Sequence, residues 1–177
     1  MDPNELLRRY AALVREWAPR LDLVSPRDLE RFEERHVEDS LRAAPLLDEL
    51  PEGPCVDVGS GAGLPGIPLS IARPERHWTL LEPRQRRAAF LEEAVRRLGL
   101  DCEIVAATAE QAARDPRLAG AHVLVTARAV ADPAAVRELA EPLLSPGGVT
   151  LVFTGPDAAA PFDADEWEPG LTIMRKK

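Results

Sequence analysis

Residues 55–66 read Cys-Val-Asp-Val-Gly-Ser-Gly-Ala-Gly-Leu-Pro-Gly: a short apolar run, then glycine at every second position, then the start of an apolar stretch. Such a run commits a chain to a strand, a tight loop and a helix in immediate succession. Glycine permits positive φ and lets backbone approach a ligand closely, while a helix start offers unpaired N–H groups. The arrangement suits a nucleotide-type cofactor, and its plain alternative is a structural strand-to-helix turn. Spacing narrows the choice. A dinucleotide fingerprint requires Gly-x-Gly-x-x-Gly, but the third glycine comes one residue early, at Gly63, and Leu64 stands in the required place.

The rest of the chain is organised around that run. Leu6, Leu7, Tyr10, Leu13, Val14 and Trp17 recur at three- and four-residue intervals, which predicts an amphipathic helix ended by Pro19. Ser25 and Pro26 supply a cap and a first-turn proline for a second helix, and 36–50 predicts a third. From Cys55 onward the pattern alternates: strand 55–58, helix 65–73, strand 77–82, helix 84–98, strands 102–106 and 121–126, helix 132–143, strand 148–153. That alternation predicts an α/β fold with a mostly parallel sheet and helices on both faces. Residues 171–174 predict an antiparallel edge strand, and 155–170 a long loop. At 177 residues the expectation is a single domain, with N-terminal helices over 1–50 and a cofactor core over 51–177.

Composition restricts partners. Thirty acidic residues outnumber 22 basic ones, for a net charge of −8, which argues against tight sequence-independent binding to bare nucleic acid but leaves a folded RNA–protein substrate open. The charge is uneven: 73–97 holds seven arginines against four glutamates, whereas 151–169 holds five acids and no base. Phosphate contacts are therefore expected from Arg84, Arg86 and Arg87, against the alternative of a solvated face paired with Glu92 and Glu93. Cys55 and Cys102 stand apart with no metal-ligand spacing, so no metal is expected and both read as buried hydrophobes. The first residues carry no basic-then-apolar leader and no window is apolar enough to span a membrane, so no membrane association and a cytoplasmic location are expected.

The Asp-x-Gly-x-Gly-x-Gly order resembles the first motif of S-adenosylmethionine (SAM) methyltransferases, whose cofactor carries no phosphate. The run 77–82 ends in Glu82, 23 residues beyond Gly59, where SAM and NAD sites alike place an acid for the ribose hydroxyls. A solvated strand-end carboxylate is the alternative for Glu82, and an NAD-dependent oxidoreductase the cross-family one.

Three segments resemble one family: Leu21-Asp22-Leu23-Val24-Ser25 with Arg35-His36-Val37-Glu38-Asp39-Ser40-Leu41; the run from Asp57 through Gly66-Ile67-Pro68 to Ile71; and Thr126-Ala127-Arg128-Ala129-Val130. They are similar to RsmG (GidB), bacterial 16S ribosomal RNA methyltransferases that methylate N7 of a guanosine. The resemblance implies a Rossmann-like SAM-dependent methyltransferase fold with an N-terminal helical extension, SAM as cofactor, and 16S rRNA or the small ribosomal subunit as partner. It implies SAM contacts at Asp57, Gly59, Gly61, Gly63, Leu64, Glu82, Ala109, Glu110 and Arg128, with Arg128 also the catalytic position. At the carboxyl end of a parallel strand, its fork suits a carboxylate or phosphate; a surface pair with Glu138 is the alternative. Glu110 also suits a plain helix start. His36, Asp39 and Ser40 are too close in sequence for a nucleophilic triad. They read as docking the N-terminal helices over the cofactor mouth, or as substrate contacts with Arg84, Arg86 and Arg87. The chain departs from the family at Thr154, in place of a lysine, at Asp22, in place of an asparagine, and in a short stretch after the fifth strand. Transfer to another acceptor, or SAM binding with little turnover, are the competing readings.

Overall fold

Cys55–Val58 (β1) is buried at all four positions, as a strand covered by helices on both faces must be. Beside it run Trp78–Leu81 (β2), parallel, and on its other side His122–Arg128 (β4), also parallel. The computed structural model describes residues 2–128, 132–154 and 170–176, and 165–168 as backbone. The remaining strands are Cys102–Val105 (β3), Leu144–Phe153 (β5), Asp165–Glu168 (β6) and Leu171–Arg175 (β7), and the sheet order is β3-β2-β1-β4-β5-β7-β6. Strands β1 to β5 are parallel and β7 is antiparallel to both β5 and β6. The chain leaves β1 in one direction toward β2 and β3 and resumes on the other side with β4. The crevice between the carboxyl ends of β1 and β4 is thus a topological switch point, where open α/β sheets take ligands.

Two apolar clusters cover the two faces. On one, Tyr10 and Leu13 from Pro3–Leu21 (α1) and Leu46 from Ala44–Glu49 (α4) join Ile67 of Gly66–Ala72 (α5), Phe90 of Gln85–Leu98 (α6) and Leu124 of β4. On the other, Val56, Val125 and Ala127 meet Ala109 and Ala112 of Ala109–Ala112 (α7), and Val136 and Ala140 of Pro133–Ala140 (α8). The N-terminal helices therefore share a core with the sheet. Burying a side chain such as Phe90 stabilises by about 1.5–3 kcal/mol.

Several boundaries differ from the sequence reading. Pro19 lies inside α1 instead of ending it; closure comes at Asp22, left-handed at φ 50°, whose N–H bonds the Ala18 carbonyl. Ser25 caps Pro26–Glu30 (α2) by accepting from Asp28 N–H. The expected helix over 36–50 is broken into a π-helical turn at Glu33–Glu38, then Asp39–Leu41 (α3), then α4, whose first turn contains Pro45. Proline has no N–H to continue the preceding helix. Strand β5 begins four residues early and bulges between its contacts with His122 and Leu124, at Pro146-Gly147-Gly148. Strand β7 is not at the edge: β6, inside the expected loop over 155–170, takes that place. Ala129 and Val130, and residues 155–164 and 169 of that loop, lie outside the described residues.

Candidate cofactor and active site

The loop after β1 is left-handed at Gly59, Gly61 and Gly63, with φ of 69°, 56° and 95°. Gly63 also needs the missing side chain, since a Cβ there would stand 2.4 Å from Ile67 Cδ1. At Gly61 a Cβ would meet no atom closer than the Gly59 carbonyl at 3.8 Å, so the loop is open on that side. Most of its donors are consumed internally, Ser60 N–H by the Leu81 carbonyl. Gly61 N–H donates to Glu82 Oε2 at 3.0 Å, Gly63 and Leu64 N–H both donate to the Ser60 carbonyl, and Gly66 N–H, opening α5, donates to Asp57 Oδ2 at 3.4 Å. A pyrophosphate needs such donors unspent, and it would also face the buried Asp57 carboxyl at the helix start. The loop accordingly favours a cofactor without phosphate.

Asp57 is fully buried, and Thr126 Oγ1 donates to its Oδ1 at 2.8 Å. Burial pushes its carboxyl up to about 6, against hydrogen bonds from Ser60, Thr126 and Gly66 that favour the charge. Asp57 thus braces the loop from beneath, tying β1 to β4 and α5. Leu64, 7% exposed, packs into the core, and the Leu64–Pro65 peptide is cis.

Glu82, immediately after β2, is not the solvated carboxylate of the alternative reading: it is 3% exposed. Its Oε1 accepts from Arg84 N–H at 2.8 Å while Oε2 holds Gly61, so one carboxylate fixes both the glycine loop and the start of α6. Each oxygen retains acceptor capacity for a ribose hydroxyl. Nor are Arg84, Arg86 and Arg87 paired with Glu92 or Glu93. Glu93 binds Arg96 and Arg97, whereas Arg86 and Arg87 donate to the Arg20 and Asp22 carbonyls at the end of α1, at 3.0 and 2.7 Å.

Across the crevice, Arg128 ends β4. Its Nη2 donates to Asp39 Oδ2 at 2.5 Å, its Nη1 lies 3.4 Å from His36 Nδ1, and its guanidinium stands 4.5 Å from the centroid of the Phe153 ring. The partner is Asp39, not Glu138. Burial, and then the Arg128 charge, hold the His36 imidazole below its usual range, which keeps Nδ1 available as an acceptor. Asp39 also binds Arg42 at 2.8 Å, so one carboxylate joins two guanidiniums. Ser40 does not join them: it is fully buried, and its hydroxyl donates to the His36 carbonyl at 2.6 Å. The π-helical turn and α3 therefore dock on the ends of β4 and β5 through His36 and Asp39, with Ser40 closing their own turn.

Beyond β3, Thr108 and Gln111 form a reciprocal capping box that starts α7. Ala109 is buried, and Glu110 is exposed in the first turn, where the Thr108 hydroxyl holds its carboxyl below the usual range. Among the described residues no group of His, Cys, Asp or Glu is placed to hold a metal, and no helix is long and apolar enough to cross a membrane. Cys55 is buried with its thiol pushed up to about 12, and Cys102 is partly buried, its thiol raised to about 11. Tyr10 escaped sequence reasoning. Its hydroxyl donates to the Ala62 carbonyl at 2.8 Å, carrying α1 onto the glycine loop, while its ring stacks edge-on against Phe32, which contacts His36. Helical periodicity marks Tyr10 only as a core position.

Residues 3–170 match the family model described as rRNA small subunit methyltransferase G. A ribosomal RNA small subunit methyltransferase G of Acidiphilium cryptum is 42% identical over 92% of the chain, which spans 74% of that relative. The corresponding protein of Mycolicibacterium gilvum is 40% identical over 86% of the chain, which spans 66% of it. Among solved structures, a precorrin-6y C5,15-methyltransferase from Geobacter metallireducens aligns with a TM-score of 0.54 at 17% identity, covering 65% of this chain and 61% of that one. A putative SAM-dependent methyltransferase from Methanococcus maripaludis aligns at 0.53 and 18% identity, covering 73% and 62%. At those identities the likeness concerns the fold, a mostly parallel Rossmann-like sheet. The family model and these relatives place the chain in the rRNA small subunit methyltransferase G family.

Proposed function

We propose that the protein transfers a methyl group from SAM to N7 of a guanosine in 16S ribosomal RNA, as an rRNA-processing enzyme of the cytoplasm. The observation that carries this reading is the convergence, at one switch point, of a left-handed glycine loop, the buried Glu82 carboxylate and the Arg128 fork. In this reading Gly59, Gly61 and Gly63 give the cofactor close backbone approach, Glu82 accepts from the ribose hydroxyls, and Ala109 and Glu110 flank the adenine. Arg128, steadied by Asp39, His36 and Phe153, orients the cofactor carboxylate or an acceptor phosphate. Bound SAM would supply an electrophilic sulfonium methyl: the N7 lone pair would form the new N–CH3 bond in line as the S–CH3 bond breaks, with S-adenosylhomocysteine as the leaving group. No proton leaves N7, so the chain needs no base at the reacting atom. Its residues align the two reactants and exclude water, and alignment of this kind contributes roughly 7–11 kcal/mol in the best cases.

The test is methyl transfer from methyl-labelled SAM to small ribosomal subunits, to bare 16S RNA and to a small-molecule extract. Label in the RNA of either ribosomal preparation supports the proposal. Label confined to the extract gives the chain another acceptor, and SAM binding without transfer makes it a binding protein.

A further inference from the structure

Beside the cofactor loop lies an open cleft of about 620 Å³, lined by Arg20 and Asp22 from the end of α1 and by Arg84, Gln85, Arg86 and Arg87 from the start of α6. Acidic residues outnumber basic ones in this chain, and several arginines elsewhere are paired: Arg15 with Glu33, Arg73 with Asp48, Arg97 with Glu93, Arg117 with Asp115. The four cleft arginines are gathered in one place without such partners. Among the described residues none has a carboxylate within salt-bridge distance, although Asp22 lies in the same wall. Arg86 and Arg87 each give one N–H to a backbone carbonyl, at Arg20 and Asp22, which fixes the guanidiniums and leaves most of their donors for a ligand. Helix α6 also points its N-terminal end here, where, of its first N–H groups, the Glu82 carboxylate takes only that of Arg84. Four cations held this close repel one another, and an anion offsets that cost.

We infer that this cleft is a phosphodiester-binding site in which Arg20, Arg84, Arg86 and Arg87 grip the backbone of the substrate RNA, making α1 part of the substrate surface. The inference rests on the RNA reading above. Position supports it: Arg84 N–H holds Glu82, and Arg87 Nη1 lies 4.0 Å from where a Cβ of Gly61 would stand, so the cleft opens beside the cofactor loop. A phosphate gripped here fixes the strand next to the methyl donor. Guanidinium forks suit phosphate oxygens, and backbone contacts of this type position a strand without reading its sequence.

The experiment is fluorescence anisotropy of a labelled single-stranded oligoribonucleotide of mixed sequence, titrated with the full chain over a salt series. Arg20 and Arg84 make no side-chain bond among the described residues, so R20Q/R84Q retains the fold. Its affinity should fall several-fold at low salt and its salt slope flatten by about 1.4 units, at ~0.7 per single-strand phosphate contact. The quadruple variant with R86Q and R87Q should flatten it further. A control, R8Q/R31Q/R117Q, removes more charge from surface ion pairs and should leave the slope unchanged. Equal slopes in wild type and R20Q/R84Q, or the same flattening in the control, would overturn the site. Methyl transfer is measured separately. Transfer to RNA with an unchanged slope leaves the proposed function standing without this cleft, whereas a lost slope without transfer to RNA leaves the cleft and removes that function.

Discussion

The Tyr10 hydroxyl donates to the Ala62 carbonyl at 2.8 Å, with Tyr10 wholly buried and Ala62 4% exposed, so the first helix of the chain holds the centre of the cofactor loop. The N-terminal extension is thus part of the site and not an addition to it. Tyr10→Phe leaves the Ala62 carbonyl buried without this donor. Stability should fall by about 1–3 kcal/mol in urea unfolding, and calorimetry should find weaker SAM binding. Full stability and affinity in the variant would detach the helix from the loop.

Two glycines in that loop should respond differently to alanine. At Gly61 the added methyl meets only the left-handed backbone, at a cost of roughly 1–2 kcal/mol, but it projects on the open side of the loop. SAM affinity should fall tenfold or more in a folded protein. At Gly63 the methyl runs into Ile67 and approaches Leu91 to 3.3 Å, so Gly63→Ala should lose more stability than Gly61→Ala. Thermal unfolding beside calorimetry separates the two, and the reverse ranking of stability would refute the geometry.

Asp57 makes a prediction in pH. Its folded value of about 6 lies above the ordinary 3.8, so between those values the native state holds a proton that the unfolded chain has released. The stabilisation is complete below the unfolded value and is lost as pH rises through about 6. Its size is on the order of 2–3 kcal/mol. Asp57→Asn retains partners for Thr126 and Gly66 without the charge. Wild-type stability minus that of the variant should therefore decline from pH 4 to pH 7 in urea titrations, and parallel curves would contradict it.

The pair formed by Asp39 and Arg128 yields a third kind of test. In a double-mutant cycle of Asp39→Asn and Arg128→Gln, the coupling energy from unfolding should be about 0.5–2 kcal/mol, since both side chains retain some solvent screening. Arg128→Lys preserves charge but loses the fork, and turnover should fall at least tenfold in a folded protein. Additive effects in the cycle would make the contact incidental.

Much of this was legible in the sequence because it is local. Strand β1 and helix α6 follow from short-range pattern, and the glycine loop and Glu82 stand at spacings that a strand–loop–helix unit imposes. The Ser25 cap is legible for the same reason. What escaped depends on partners distant in sequence. Periodicity shows Tyr10 as a core residue and says nothing of a hydroxyl reaching Ala62, 52 residues away. The choice of Asp39 over Glu138 for Arg128 comes from packing α3 on the sheet. Ser40 shares a sequence segment with His36 and Asp39, yet in the fold its hydroxyl is spent on its own turn. The break in 36–50 combines a π-helical turn with Pro45, and only the proline has a sequence signal.

The most direct measurement is nucleoside mass spectrometry of 16S RNA from cells lacking the gene, from the same cells supplied with the wild-type gene, and from cells supplied with Gly61→Ala. A 7-methylguanosine in 16S RNA should be missing without the gene, restored by the wild-type chain, and restored poorly by Gly61→Ala. A 16S RNA with identical 7-methylguanosine content in all three would contradict the proposed function.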